Sequence, residues 1–172
     1  TISEIVDFRS MILVERETTE RVLTQVKAVD KNYPLMGEVN LFSDVILSDA
    51  LQKRKGLPGA VIEKILVDRL DLKLGDTFKL GQTQFYLGGV IETIPDNGSD
   101  GFGLGPRTIV YTTDLEDSGL LTPGTLFSTK YRLDLKENIN LDSVSKTAVE
   151  KFETTGMRWK DARNAAPGIS EF

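Results

Sequence analysis

A chain of 172 residues with 40% hydrophobic content suits one compact core, or two small subdomains sharing an interface, and is too short for two ordinary domains. Its formal charge of −5 arises from 26 acidic and 21 basic side chains spread along the whole length, which leaves no basic stripe to neutralise phosphates and argues against nucleic acid as a partner. Zero histidine and zero cysteine remove Ser-His-Asp and Cys-His catalysis, His-ligated zinc, thiolate metal sites and disulfides.

In chain order, Ile5, Val6, Phe8 and the run Met11 to Val14, then "ERETTER", then Val22, Val26 and Val29 predict two strands with a polar connection, since Val-, Ile- and Thr-rich runs bounded by charge are strand-like. A helix through "ETTERVLTQVKAV" is the competing reading. Tyr33-Pro34 ends the element, because the residue before proline is pushed out of the helical region. "FSDVILSDALQKRKG" reads as a helix closed by basic residues and Gly56. "LPGAVIEKILVDRLDL" reads as a short strand over Ala60 to Ile62, running into a helix that buries Ile65, Leu66 and Leu70.

"DTFKLGQTQFYLGGV" alternates, with Phe78 and Leu80 on one face and Phe85 and Leu87 repeating it on the next strand. Gly81-Gln82 suits a two-residue hairpin turn with positive φ at the glycine. Gly88-Gly89 predicts a bulge or bend, the usual means of curling a sheet. "PDNGSDGFGLGP" is the most glycine-rich segment, and Gly98, Gly101, Phe102, Gly103 and Gly105 are the residues expected to form a mobile loop. "RTIVYTTDL" reads as a strand, "SGLLTPGTLF" as a loop and "TKYRLDLK" as a strand with Tyr131, Leu133 and Leu135 on one side. "NINLDSVSKTAVEKF" carries Leu141, Val144, Ala148 and Phe152 on one helical stripe, capped by Asn140 and ended by Gly156. "MRWKDAR" is expected to form a last strand.

Candidates for chemistry are few. "GFGLGP" has the glycine density of a phosphate-binding loop, yet proline and a strand follow it where a helix should open. Asp68, Asp71 and Asp76, and Asp114, Glu116 and Asp117 could pair for acid-base work or hold calcium, but neighbouring acids on turns usually face solvent and no EF-hand spacing appears. "QKRKG" falls short of the roughly four to eight basic residues of a lipid-headgroup site. Trp159 suits an interface anchor or a core position equally, and "NGS" at residues 97–99 suits a turn as well as a glycosylation acceptor. No residue takes a catalytic, cofactor-binding or metal-binding role. No stretch reaches the roughly 18 apolar residues of a membrane span, no signal peptide opens the chain, and the start at Thr1 suggests a portion of something longer.

Taken in succession, "FRSMI", "VKAVDKNYPLMGEV", "GAVIEKILVDRLDLKLGDTFKLGQTQFYLGGVIETIPD", "LGPRTIVYTTDLEDSGLL" and "WKDARNAAPGISEF" resemble the extracytoplasmic, periplasmic core domain of FtsX/MacB-type ABC transporter permeases, in the YbbP-like branch. The resemblance implies an α+β fold with a discontinuous α/β porter-like subdomain, residues 1–36 plus 127–172, and an inserted β-rich sabre-like subdomain, residues 37–126. It further implies a place on the periplasmic side of the bacterial inner membrane, a cytoplasmic ATPase partner, a permease homodimer and contact with a periplasmic protein or lipid-like substrate. The function it implies is mechanotransmission: ATP-driven motion of membrane helices displaces this domain, which itself catalyses nothing. A free-standing secreted module binding lipid or peptide is the alternative, and an enzyme using paired acids such as Asp76 or Asp114 is a third reading.

Overall fold

The computed structural model describes residues 1–95 and 105–161, and its centre is one sheet of eight strands. β1 (Ile2–Val14) and β2 (Glu20–Val29) are the two expected N-terminal strands, antiparallel from Ile5↔Val29 to Val14↔Glu20. The competing helix does not form. Along the chain follow β3 (Asn40–Leu41), α1 (Leu47–Leu51), β4 (Gly59–Glu63), α2 (Lys64–Arg69), β5 (Thr77–Leu80), β6 (Thr83–Thr93), β7 (Arg107–Tyr111), β8 (Phe127–Leu133) and α3 (Leu141–Phe152).

Hydrogen-bonded neighbours run from β1 to β2, β7, β4, β6 and β5, and β5 then pairs with β1 again through Ile12↔Leu80 and Leu13↔Lys79. These six strands therefore close into a barrel, which pairs the edges they would present in an open sheet, while β8 and β3 are added outside the ring. β1 is long enough to do two things along one edge: its second half closes the barrel, and its first half carries β8 from Ile2↔Leu133 to Phe8↔Phe127. The barrel interior holds Phe8, Ile12, Val22, Val26, Phe78 and Phe85 among others, with the Phe78 and Phe85 rings stacked at 6.1 Å. A second apolar cluster, including Ile5, Val29, Ala50, Leu51 and Ile91, lies under α1. Because β1 and β2 are covered on both faces over part of their length, Ile5 and Val6 are both buried, and Val29 points away from Val22 and Val26 into the second cluster.

The hairpin of β5 and β6 follows its sequence pattern, with Gly81 at φ 56° in the first turn position and Phe78, Leu80, Phe85 and Leu87 buried. Pairing of β4 with β6 steps from Ala60↔Leu87 to Val61↔Gly89, so Gly88 is the extra residue of a bulge. A β-carbon on Gly88 or on Gly59 would strike the Ala50 carbonyl oxygen; α1 thus rests on a floor that only glycine supplies.

Several expectations give way to the packing. The helix expected over residues 42–56 shrinks to α1, whose N-cap Ile46 offers no side-chain hydrogen bond and whose buried residues are Ala50 and Leu51. α2 buries Leu66 and Val67, with Leu70 following, while Ile65 stands 66% exposed, because successive helical residues are turned by about 100° and the stripe falls one residue later. β8 has Phe127, Tyr131 and Leu133 on one side as alternation requires, but that side is the exposed one; Leu135 lies beyond the strand. α3 has its predicted cap, Asn140 Oδ1 accepting from the Asp142 and Ser143 amides at 2.9 and 3.3 Å, yet buries none of its residues. Residues 157–161 form no strand. Mixed α/β character is present, and the sheet runs without a break across the boundary expected between residues 36 and 37.

Candidate functional site

Several of the candidate carboxylates take partners on folding. Asp68 binds Lys64 at 2.8 Å on the exposed side of α2, and Asp76 accepts the Lys73 amide at 2.8 Å in a tight turn, the local role its sequence context predicts. Asp114 lies 3.5 Å from Lys53 with its side chain 5% exposed; burial holds its carboxyl above the ordinary carboxylate range, with Lys53 opposing and Glu116 adding to the rise. Among the described residues no three His, Cys, Asp or Glu side chains converge to hold a metal.

Of the expected loop residues, Gly98, Gly101, Phe102 and Gly103 lie outside the described residues. Gly105, at φ 145°, leads into Pro106, whose carbonyl accepts from the Gln25 amide at 2.9 Å and from Thr24 Oγ1 at 3.1 Å. The C-terminal end of that segment is therefore fastened to β2, and Thr24 Oγ1 also reaches Thr108 Oγ1 at 2.8 Å. Asp7 and Lys130, 3.1 Å apart, make a cross-strand link between β1 and β8 on the side opposite the exposed apolar residues.

β1 is the strand that joins the parts of this arrangement. Its 13 residues make a strand about 40 Å long at ~3.3 Å per residue, bonded to β2 on one edge and to β8 and β5 on the other. Barrel, β8 and the segment leading to α3 are thus joined through one continuous strand. Exposed apolar side chains include Phe127, Tyr131 and Leu133 on one face of β8, with α3 following, and Met36, Phe42, Val45 and Ile46 in the segment before α1. Sequence pattern alone misses these faces, because alternation reads the same whether the apolar side turns inward or outward. No helix among the described residues is long and apolar enough to cross a membrane.

No family model matches the chain. It is similar to YbbP, an ABC transporter permease of Escherichia coli K12, at 28% identity over 137 residues, which are 80% of this chain and 16% of that protein. The chain thus spans well under a fifth of the length of this curated relative. Its fold is similar to the periplasmic region of MacB from Actinobacillus actinomycetemcomitans, with a TM-score of 0.58 and 11% identity over 90% of this chain and 66% of that one. It is likewise similar to the extracellular domain of the ABC-type transporter YknZ from Gram-positive bacteria, with a TM-score of 0.57 and 14% identity over 90% of this chain and 76% of that one. At such identities the structural likeness is one of fold. In sequence the chain is thus similar to part of a permease, and in fold to these transporter domains.

Proposed function

We propose that this chain is the extracytoplasmic domain of an ABC transporter permease subunit, and that it transmits ATP-driven motion of membrane helices to a periplasmic partner or a lipid-like substrate. The observation that supports this most is the run of 137 residues shared with a permease, on a fold shared with the periplasmic region of another transporter. ATP hydrolysis would reside in a separate cytoplasmic subunit, and the permease would act as a homodimer. The closed barrel supplies what transmission requires, a body that moves as a unit while hinges elsewhere absorb the change.

Within this reading, residues 1–36 with 127–172 form the membrane-proximal porter-like part and residues 37–126 the inserted sabre-like part, with β1 and β2 bonded to both. The half-buried stripe of α3 and the exposed face of β8 favour the division, since they are apolar surfaces that further protein would cover.

Placement is tested by accessibility. This segment has no cysteine, so a single Thr18→Cys change in the full permease gives one reporter here. It should react with a membrane-impermeant maleimide in intact cells whose outer membrane has been made permeable. Reaction only after the inner membrane is broken would place the domain in the cytoplasm and contradict the proposal.

A further inference from the structure

Between the outer face of β1 and β2 and the side of α2 lies a groove of about 400 Å³ whose walls include Arg9, Arg21, Leu23, Gln25, Ile65 and Arg69. The register explains the gathering. Arg9 stands directly opposite Gln25, and Leu13 opposite Arg21, so arginines far apart in sequence share one face; α2 adds Arg69 from above. In a chain of net charge −5, three guanidinium groups here have no ion pair or side-chain hydrogen bond among the described residues. Neighbouring carboxylates are engaged elsewhere: Asp7 with Lys130, Glu63 with Arg107 and Asp68 with Lys64. The three arginines are exposed, so their guanidinium groups are open to an anion entering the groove.

One further feature narrows the ligand. Leu23 and Ile65, exposed by 53% and 66%, give the groove an apolar rim. Guanidinium groups suit the oxygens of phosphate through paired N–H donors, and a volume near the lower end of the roughly 300–1,000 Å³ typical of ligand sites admits a headgroup and the start of a chain, not a whole diacyl lipid.

We propose that this groove binds a phosphate monoester or diester that carries an apolar arm: Arg9, Arg21 and Arg69 on the phosphate, and Leu23 and Ile65 along the arm. Such chemistry belongs both to the headgroup of an anionic lipid and to a free phosphate ester. The inference stands on the groove and does not require the transporter reading. A chain that binds as described but does not move with nucleotide would uphold it while sinking that reading.

The test titrates the 172-residue chain with inorganic phosphate, glycerol 3-phosphate and dodecyl phosphate below its micelle concentration, following backbone amide shifts, and measures flotation with vesicles of phosphatidylglycerol or of phosphatidylcholine. Dodecyl phosphate should bind about tenfold or more tightly than inorganic phosphate, through its arm, with shifts centred on β2 and α2. Arg9→Gln with Arg69→Gln should weaken it by about tenfold or more, while Lys136→Gln with Lys146→Gln, which removes the same charge from another surface, should not. Arginine-dependent flotation with phosphatidylglycerol alone identifies a bilayer headgroup as the source; binding of the soluble esters without flotation identifies a free ester. Absence of both, or equal loss in the arginine and lysine variants, overturns the proposal.

Discussion

Ile12 of β1 and Leu80 of β5 face each other at the junction that closes the barrel, and both are fully buried. Two residue pairs make this junction, Ile12↔Leu80 and Leu13↔Lys79, so its strength depends on side-chain packing more than on a long ladder. Ile12→Ala and Leu80→Ala should each cost about 2–5 kcal/mol by urea unfolding, and the double variant should depart from additivity because the two sites share a junction. Two small, independent effects would mean that the closure contributes little.

The glycine floor under α1 gives a sharper contrast. At Gly88 and Gly59 an added methyl meets the Ala50 backbone, which cannot yield, whereas at Gly89 it meets first the tip of Leu41 at 2.8 Å. Gly88→Ala should therefore destabilise by about 2 kcal/mol or more and Gly89→Ala by less. Equal midpoints in denaturant for the two variants would show that α1 rides outward freely.

This contrast also shows what the sequence could and could not disclose. The hairpin, the bulge at Gly88 and the cap at Asn140 follow from local rules, since each depends on residues within a few positions. Barrel closure depends on Ile12 meeting Leu80, a pairing with no local signal. Ile65 misleads for a related reason: its apolar side chain fits the expected stripe, and only the angle at which α2 leaves β4 decides that Leu66 and Val67 turn inward. The arginine groove is invisible for the same cause, as Arg9, Arg21 and Arg69 become neighbours only through strand register and the placement of α2. The loop residues from Gly98 to Gly103 lie outside what the structure describes.

Stability should be uneven along the chain. With no buried residue in α3, loss of its cap by Asn140→Ala should cost about 1 kcal/mol locally. Hydrogen exchange would then quicken in residues 141–152 while protection in β4 and β6 stays unchanged. A matching loss of protection in the barrel strands would show α3 to be coupled to the core.

Asp114 should make stability depend on pH in a specific direction. Its folded-state pKa is raised, chiefly by burial, so the folded state holds the proton more tightly than the unfolded chain. Its contribution is fully present below the unfolded value and is lost as pH rises through the folded one. The difference in melting temperature between the natural chain and Asp114→Asn, natural minus variant, should therefore fall on going from strongly acidic to neutral pH. A difference that grows with pH would mean that pairing with Lys53 outweighs burial.

The claim that the domain moves as a rigid lever is tested most directly by spin-label distances in the full permease, joined to its ATPase in nanodiscs. Thr18→Cys and Lys73→Cys, both exposed, report within the domain; Thr18→Cys against gadolinium-tagged lipid headgroups reports its position over the membrane. Between ATP-bound and nucleotide-free states the Thr18–Lys73 distance should hold while the Thr18–membrane distance shifts by several ångströms, as rigid-body motion requires. A Thr18–membrane distance that ignores nucleotide, or a Thr18–Lys73 distance that changes with it, would contradict the account.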